Sequence, residues 1–456
     1  IAVQCADGIK VYKAEGKLKN LKEELAPHAY EVSKSTSGIG HIRWATHGAP
    51  TVVNAHPHTC GCGKLVLVHN GIIENYKELK AELIAKGCKF KSQTDTEVVA
   101  HLIASIYGEV KDLTKAVQMA TKRIEGAYAF CIMHNDEPGK IVATKRNAPL
   151  LIGVGEGEYY VASDVPATIK HTNKAIYLTD NQVVTLTPDS LVLEDENENI
   201  LEPKIEVLPW EPVALSKMGY KHFMLKEIHE QPDVIRNILV GKLHTSDSPI
   251  VLNEVKLTKE TLKNLNRIQI IACGTSLHAA MIGKYIIEGF CNIPVDVEAS
   301  SEYIYRKTVT DSHTLVIGVS QSGETADTLT AIKQSKARGS HILIITNRPD
   351  SAMAREADSL VPVSAGIEVS VAATKSYIAQ LTSFYLLALY MAEIKGTMSD
   401  TDLVNIKSDM LLLPQKIEQI LAHKEDIQKC ARKYSGTKDF IYIARGVNYP
   451  TALEGA

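Results

Sequence analysis

The hydrophobic and polar positions of the chain follow two different patterns. In the first half, short apolar runs typical of strands dominate, with two amphipathic segments, 75–86 and 96–107, that predict helices each ended by a glycine. In the second half, apolar strands alternate with helical segments, a pattern typical of a parallel sheet with helices on both faces. The expected fold is a layered α+β sandwich followed by α/β doubly wound parallel-sheet domains.

The same patterns predict the domain organisation. The first half is expected to form one layered domain, and a proline-marked stretch near residue 209 is expected to start a linker. Near its end the chain repeats the strand–loop–helix outline of 268–280, which indicates an internal repeat. The predicted segments are a first domain at 1–208, a linker at 209–220, a doubly wound domain at 221–397, connecting helices broken by Pro414 at 398–430, and the start of a second doubly wound domain, with a strand at 439–444, at 431–456.

The loop that begins at Ser320 reads S-Q-S-G-E-T-A-D-T and lies between a predicted strand and a predicted helix. Ser320, Ser322 and Thr325 supply hydroxyl donors beside a helix N-terminus, which favours an anion. The loop contains no Lys or Arg and no Walker-type pattern, so we expect one phosphate on a small molecule rather than a nucleoside triphosphate. A Ser/Thr-rich helix cap without a ligand is the alternative. Loops after neighbouring parallel strands, at 273–276 and 371–375, are expected to share one crevice with it.

Three polar clusters in the first half could carry chemistry. Arg43 lies on a predicted strand at 40–45 and could clamp a carboxylate or form a surface salt bridge. Asn70-Gly71 could form an oxyanion hole or a hairpin turn. Asp95 could hold an ammonium group, or Thr94 or Asp95 could simply cap the following helix.

Composition narrows the class of protein. The 456 residues carry a net charge of −3, which gives no reason to expect nucleic acid or an anionic membrane as a partner. The eight cysteines are scattered, as in a protein of a reducing compartment, and a cytoplasmic location is expected. The segment His56–Cys62 contains two His and two Cys, but their spacing is tighter than that of common zinc sites, so we expect no metal.

The motifs R-W-A-T-H-G, N-A-H-P-H, V-H-N-G-I-I-E-N and T-D-T-E occur in this order and closely resemble the glutaminase domain of the N-terminal-nucleophile glutamine amidotransferases. That resemblance implies that Arg43 binds the glutamine α-carboxylate and Asp95 its α-ammonium group. It implies that Asn70 and Gly71 form the oxyanion hole. Trp44, Thr46 and His47 would line the same pocket, with Trp44 at the mouth of an ammonia passage.

The family nucleophile is an N-terminal cysteine whose own α-amine acts as the base. This chain begins at Ile1, and Cys5 lies inside a predicted strand without the glycine-rich context of that nucleophile, so we do not assign the role to Cys5. The expectation from the resemblance is a chain truncated at both ends that is itself inactive.

The motifs A-C-G-T-S, S-Q-S-G-E-T-A-D-T, G-I-E-x-x-V-A-A-T-K and R-G-x-x-Y-P-x-A-L-E-G-A resemble tandem sugar-isomerase domains. The residues that this resemblance assigns to the sugar phosphate are Thr275, Ser276, Ser320, Gln321, Ser322, Thr325, Val371 and Ala373, with Glu324 nearby. Ser370 and Ala373 depart from the family pattern. The family's isomerase lysine, glutamate and histidine would fall beyond Ala456, and Lys375 is expected to support its loop.

An enzyme with both domains is expected to release ammonia from glutamine and channel it to fructose 6-phosphate, which gives glucosamine 6-phosphate and glutamate. The resemblance implies a homodimer, small-molecule substrates, and no metal or redox cofactor. Two alternatives stay open: a related sugar-phosphate deglycase or isomerase, and a non-catalytic sugar-phosphate-binding protein. The intact set of glutamine-pocket residues favours the enzyme.

Overall fold

The computed structural model describes residues 1–43, 48–208 and 216–456. Trp44, Thr46, His47 and most of the predicted linker lie outside the described residues. The chain divides into two compact units, of which the first ends at residue 212. The division into finer domains stays a prediction.

The first unit contains three antiparallel sheets and five α-helices in its described part. Its strands are β1 (Ala2–Cys5), β2 (Gly8–Val11), β3 (Gly38–Ile39), β4 (His58–Thr59), β5 (Leu65–Ile73), β6 (Gly126–His134), β7 (Ile141–Arg146), β8 (Leu151–Val154), β9 (Tyr159–Ala162), β10 (Lys174–Tyr177), β11 (Val183–Thr187), β12 (Ser190–Glu194), β13 (Ile200–Leu201) and β14 (Glu206–Val207). Its helices are α1 (Leu18–Leu25), α2 (Ala29–Val32), α3 (Tyr76–Ala85), α4 (Thr96–Val110) and α5 (Leu113–Thr121).

A seven-stranded sheet in the order β13-β12-β11-β7-β6-β5-β4 forms the centre of this unit. Alternating side chains of β6 point to opposite faces, as the strand period requires. Tyr128 and Phe130 pack with apolar residues of α3, α4 and α5 on one face. Ala129 packs on the other face with Ile152 and Ile176 of the four-stranded sheet β14-β10-β8-β9. Buried side chains on both faces of β6 therefore hold the helices and the second sheet against the seven-stranded sheet.

Two local predictions for this unit are wrong. Residues 40–43 are not a strand, and the strand that pairs with β1 is the short β3. The second predicted helix does not stop at Gly108 but continues to Val110 and ends where Lys111 adopts a left-handed backbone, with φ of 56°. Gly108 is exposed, and its cost of about 1 kcal/mol inside a helix is offset by the almost fully buried face of α4.

The second unit is built on a five-stranded parallel sheet. Its strands are β15 (Arg267–Ala272), β16 (Val295–Ala299), β17 (Thr314–Ser320), β18 (His341–Thr346) and β19 (Ser359–Pro362). Its helices are α6 (Phe223–Leu239), α7 (Lys259–Asn264), α8 (Gly274–Cys291), α9 (Ser300–Tyr303), α10 (Ala326–Ala337), α11 (Ala352–Glu356), α12 (Lys375–Lys395), α13 (Asp400–Ala422), α14 (Lys424–Tyr434) and α15 (Tyr449–Gly455).

The strand order β16-β15-β17-β18-β19 places a topological switch between β15 and β17. Separate apolar clusters cover the two faces of the sheet, with Ile270 on one and Ile271 on the other. This parallel, two-sided arrangement agrees with the α/β pattern of the second half. Ligands of such sheets bind beyond the carboxyl ends of the strands at the switch point. The start of α8 and the loop after β17 flank that point.

Helix α12 is long and apolar enough to cross a membrane by length and composition, but 61% of its apolar window is buried in the protein. Ala379, Phe384 and Leu387 of this helix are fully buried in the larger apolar cluster of the second unit. Its apolar composition is thus explained by its place in that core.

Two predictions near the end of the chain are also wrong. Helix α13 runs through Pro414 without a break, because Leu403, Met410 and Pro414 share a buried face that packs near α6. Residues 439–444 are described but form no strand, and Ile441 and Ile443 are 87% and 90% exposed. A strand needs a neighbour to pair its backbone groups, and the described part of the chain supplies none there.

Candidate active site

A cavity of about 300 Å³ in the first unit brings together residues from all three polar clusters. Arg43, Asn70, Gly71 and Asp95, which are separated by up to 52 positions along the chain, line this one cavity. Two of them come from the end of β5, one from the start of α4 and one from the segment after β3. The convergence of these four residues supports a shared small-molecule site. The separate motifs could not show that the residues lie in one cavity.

Asn70 and Gly71 lie inside β5, so the hairpin-turn alternative is wrong. Gly71 pairs with Tyr128 of β6, has a φ of +129°, and a Cβ atom there would lie 2.0 Å from the carbonyl oxygen of Ala127. Glycine is therefore required at this position. The close pairing presents the exposed Asn70 side chain at the cavity wall.

His41 lies two residues before Arg43, and the sequence motifs gave it no role. Its Nε2 lies 2.7 Å from Oδ1 of Asn70. Because an amide oxygen only accepts, His41 donates this hydrogen bond, and the contact fixes which end of the Asn70 amide is the donor. The Nδ2–H₂ group of Asn70 is then oriented away from His41. The two-residue spacing to Arg43 is the only signal in the sequence that could have indicated His41.

Asp95 is 3% exposed, and its Oδ2 accepts a hydrogen bond of 2.8 Å from the backbone N–H of Ile73 at the end of β5. It makes no side-chain capping hydrogen bond at the start of α4, so the capping alternative is wrong for Asp95. Thr94, the other capping candidate, does accept a hydrogen bond from the N–H of Glu97 in the first turn of α4, at 3.4 Å. The Asp95 carboxylate thus joins β5 to α4 at the cavity wall.

The Arg43 guanidinium donates hydrogen bonds of 3.1 Å to the carbonyl oxygens of Gly48 and Ala49. Two backbone acceptors from one turn restrict the orientation of the guanidinium plane. A guanidinium is planar and carries five N–H donors, a geometry suited to a carboxylate.

Three histidines, His41, His56 and His69, line this cavity, and a fourth, His58, contacts His56. His56 stacks on His41 with ring centroids 4.3 Å apart and lies edge-on to His58 at 4.9 Å. Burial lowers the pKa of His58 to about 3 and the pKa of His69 to about 4, although Asp95 opposes the second shift. Burial also lowers the pKa of His41 and that of His56. The group is therefore neutral near pH 7. Among the residues that the structure describes, no cluster of three or more His, Cys, Asp or Glu is arranged to hold a metal ion.

These histidines predict an acid-sensitive first unit. His58 and His69 have folded-state pKa values below the ordinary value of 6.5, so the unfolded chain binds more protons once the pH falls below that value. Stability should fall by on the order of 2 kcal/mol for each of them between about pH 7.5 and about pH 5. Hydrogen exchange of the β5 amides, corrected for the intrinsic rate, would measure the loss. His58→Gln keeps a polar group near Thr94 and should reduce the slope, whereas an equal slope would contradict the assignment.

The loop after β17 folds around its own hydroxyl groups. Oγ of Ser320 accepts a hydrogen bond of 3.0 Å from the N–H of Gly323 and lies 2.9 Å from Oγ1 of Thr325. Oγ of Ser322 accepts from the N–H of Glu324 at 3.2 Å. Thr325 makes no side-chain capping hydrogen bond to α10. The hydroxyl groups shape a compact loop before α10. Because Thr325 does not cap this helix, the helix-cap alternative is wrong for Thr325.

Residues 274–276, predicted as part of a loop, instead form the first turn of α8, which continues directly from β15 after Cys273. This turn contacts a residue to which the sequence motifs assigned no role. Oγ1 of Thr275 lies 2.8 Å from Oε1 of Glu454, whose other oxygen lies 2.7 Å from Nδ1 of His278. Ser276 is buried, and its Oγ accepts from the side-chain amide of Gln380 at 3.0 Å. Thr275 thus faces Glu454 in this structure, and the only sequence signal for Glu454 was its place in the A-L-E-G-A motif.

The third loop is held by two carboxylates. Glu227 of α6, only 2% exposed, accepts hydrogen bonds from the N–H groups of Val369 and Ser370, the first at 2.6 Å. Glu368 accepts from the N–H of Thr374 at 2.9 Å. Lys375 pairs with Glu230 of α6 at 2.7 Å, which agrees with a supporting role for this lysine.

The departures from the family pattern lie in the same loop. Val371 is 89% exposed at its tip, Ala373 is half-buried, and the hydroxyl of Ser370 is buried without a hydrogen-bond partner in the described structure. Anchoring by α6 therefore fixes the base of the loop and leaves its tip open.

Comparisons with known proteins agree with the family resemblance of each half of the chain. The family model described as a glutamine amidotransferase domain matches residues 50–170, and the SIS domain model matches residues 261–390. Glutamine--fructose-6-phosphate aminotransferase [isomerizing] of Caldanaerobacter subterraneus is 44% identical over 456 residues, which is all of this chain and 74% of that protein. The protein of the same name from Gloeobacter violaceus is 46% identical over 458 residues, again 74% of its length. Among solved structures, the C-terminal domain of glucosamine-fructose-6-phosphate aminotransferase from Francisella tularensis matches 53% of this chain and 68% of that chain, with 36% identity and a TM-score of 0.50.

Proposed function

The chain belongs to the family of isomerising glutamine–fructose-6-phosphate aminotransferases, and on this premise we propose the roles of its residues in that reaction. The protein is an aminotransferase that uses glutamine to convert fructose 6-phosphate to glucosamine 6-phosphate, with glutamate as the second product. The observation that carries the residue assignments is the single cavity that contains Arg43, Asn70, Gly71 and Asp95.

In the first unit, each of the two charged groups on the α-carbon of glutamine meets a protein group of opposite charge. The Arg43 guanidinium binds the α-carboxylate, for which its planar set of donors is suited. The Asp95 carboxylate binds the α-ammonium group from a buried position, where the charge pair is poorly screened. The two contacts orient the side-chain amide of glutamine toward the end of β5.

Asn70 and Gly71 stabilise the oxyanion that forms when the glutamine amide carbon is attacked. The Nδ2–H₂ of Asn70 and the N–H of Gly71 are the two donors, and preorganised donors of this kind lower the barrier because they need no reorientation. His41 is a positioning residue, since its hydrogen bond to Oδ1 of Asn70 keeps the amide donor available. We assign no residue of the chain as the nucleophile.

In the second unit, the loop after β17 binds the phosphate of the sugar. Backbone N–H groups at the start of α10 and the hydroxyls of Ser320, Ser322 and Thr325 supply neutral donors to the anion. Gln321, Thr275 and Ser276 complete the phosphate side, and Val371 and Ala373 border the sugar. The position of the first turn of α8 and of the loop after β17, on either side of the sheet's switch point, supports this placement.

Three further features complete the proposal. The first unit has the glutaminase fold of the N-terminal-nucleophile amidotransferases, with two sheets packed face to face. The protein works in the cytoplasm, and it is a homodimer. Light scattering of the protein expressed from its complete reading frame would measure the mass of the assembly, and a monomer would contradict the last feature.

The test of the sugar-phosphate site is Ser320→Ala in the protein expressed from its complete reading frame. Loss of the Ser320 hydroxyl removes the acceptor for Gly323 N–H and a donor to phosphate, so glucosamine 6-phosphate formation should fall by about 10- to 100-fold through a raised KM for fructose 6-phosphate. Basal glutamine hydrolysis should be retained. Both products are measured by chromatography, and Ser408→Ala on α13 is the matched control. An unchanged KM would remove Ser320 from the phosphate site, whereas amino-sugar formation without glutamine would contradict the function itself.

A further inference from the structure

The turn between β4 and β5 contains two cysteines that the proposed reaction does not use. Cys60 and Cys62 are separated by Gly61, and their Sγ atoms lie 2.8 Å apart. Cys60 is buried, whereas Cys62 is exposed. The pair lies next to β5, the strand whose far end carries Asn70 and Gly71.

The local backbone explains why the two thiols meet. The N–H of Cys60 donates to the carbonyl of Leu65 at 3.2 Å, and the N–H of Gly63 donates to the carbonyl of Cys60 at 3.0 Å, so the turn is tightly closed. A Cβ atom on Gly61 would lie 3.2 Å from Cε1 of His101 on α4. A glycine between the cysteines thus allows the turn to lie close against α4 while both sulfur atoms point to one side.

The distance between the sulfur atoms distinguishes a redox pair from a metal site. Two thiolates on one tetrahedral zinc ion at about 2.3 Å each would stand about 3.8 Å apart. The observed 2.8 Å is too short for that arrangement. The described residues also place no third His, Cys, Asp or Glu in a position to complete a metal site with them.

We propose that Cys60 and Cys62 form a thiol–disulfide couple whose oxidant is a low-molecular-weight disulfide of the glutathione type. The exposed Cys62 thiolate attacks one sulfur of the oxidant, the oxidant's S–S bond breaks, and one thiol leaves with a proton from water. Cys60 then loses its proton and attacks Sγ of Cys62, which releases the second thiol. Two protein thiols are oxidised to one disulfide, and one small disulfide is reduced to two thiols.

The order of the two steps follows from the surroundings of each sulfur. Burial and the contact with Cys62 raise the pKa of the Cys60 thiol, which makes Cys60 the resolving rather than the attacking group. The ring closed by two cysteines one residue apart is small, and the Cys62 side of it is exposed. Small, accessible disulfides of this kind are readily reduced. The couple is therefore expected to be reduced in a reducing compartment and to respond when the small-disulfide fraction rises.

The experiment is a titration of the native protein with reduced and oxidised glutathione at stepped ratios, followed by acid quench, alkylation and peptide mass spectrometry. The peptide with Cys60 and Cys62 should lose two hydrogen atoms and both alkylation sites as the ratio becomes more oxidising. Cys88 and Cys430, elsewhere in the chain, should never form this intramolecular product and serve as internal controls. Full alkylation of both cysteines in oxidised glutathione alone would overturn the proposal.

A variant traps the intermediate. With Cys60→Ser the resolving thiol is absent, so Cys62 should accumulate as a mixed disulfide with glutathione, at least 10-fold above the level in the parent protein. Cys62→Ser should abolish both products at this turn and changes only an exposed side chain, so it keeps the test valid if the buried substitution impairs folding. Equal mixed-disulfide levels in the parent and Cys60→Ser proteins would contradict the resolving step.

Discussion

Asp95→Asn is expected to weaken glutamine binding by about 100-fold, equivalent to about 2.8 kcal/mol. The substitution keeps the size of the side chain and an oxygen that can accept from the N–H of Ile73, so the joint between β5 and α4 is retained. What it removes is the negative charge, which lies on a side chain only 3% exposed and faces the proposed ammonium site. Isothermal titration calorimetry with glutamine measures the change.

The matched control for this prediction is Asp136→Asn. Asp136 is an exposed carboxylate paired with Lys64 at 3.1 Å, outside the cavity, and the same chemical change there should leave the Kd for glutamine unaltered. If the Asp95→Asn protein binds glutamine as tightly as the parent protein, the Asp95 carboxylate serves only to connect β5 to α4, and its assignment to the ammonium group is wrong.

Gly323→Ala is expected to remove sugar-phosphate binding, with a loss of about 100-fold or more in affinity for fructose 6-phosphate. Gly323 has a φ of +65°, and a Cβ atom there would lie 2.0 Å from Oγ of Ser351, a fully buried side chain at the start of α11. The loop has to shift to accept the methyl group. Such a shift breaks the 3.0 Å hydrogen bond from Gly323 to Ser320 and moves the hydroxyls proposed to hold phosphate.

Gly339→Ala is the control that separates the effect of backbone strain from the effect of a steric clash with the added methyl group. Gly339 also has a positive φ, +87°, but apart from its chain neighbours no atom lies within 4 Å of the place that a Cβ atom would take. The substitution should cost about 1 to 2 kcal/mol in stability and leave the affinity for fructose 6-phosphate unchanged. Equal losses of affinity in the two variants would show that the effect is a general one on folding, contrary to the expectation for the phosphate loop.

The candidate residues themselves could be predicted from motif order, but their geometry could not. Asn70-Gly71 is a common turn dipeptide, and only the pairing of Gly71 with Tyr128 shows that it lies within a strand. Local propensity contains no information about a partner strand more than fifty residues away. In the same way, no pattern around Glu454 or Thr275 indicates their contact, because these residues are 179 positions apart.

The predicted boundaries of helices were wrong where tertiary packing outweighed the local preference of single residues. Gly108 and Pro414 are both helix-ending residues by propensity, yet α4 and α13 continue past them because each helix buries a long apolar face. The strand predicted at 439–444 has suitable residues but no neighbouring strand in the described part of the chain, and a strand is stabilised by its neighbours.

By itself the sequence determined the class of each half, the order of the motifs and, through them, the residues with which glutamine and a sugar phosphate are expected to meet. These properties follow from periodicity and residue type, which are local. The tertiary structure decided which residues share a cavity, that His41 orients Asn70, that α6 anchors the third loop through Glu227, and that Cys60 lies against Cys62. These contacts depend on how strands pair and turns close, and hydrogen bonds and short distances between side chains exist only once that packing is formed.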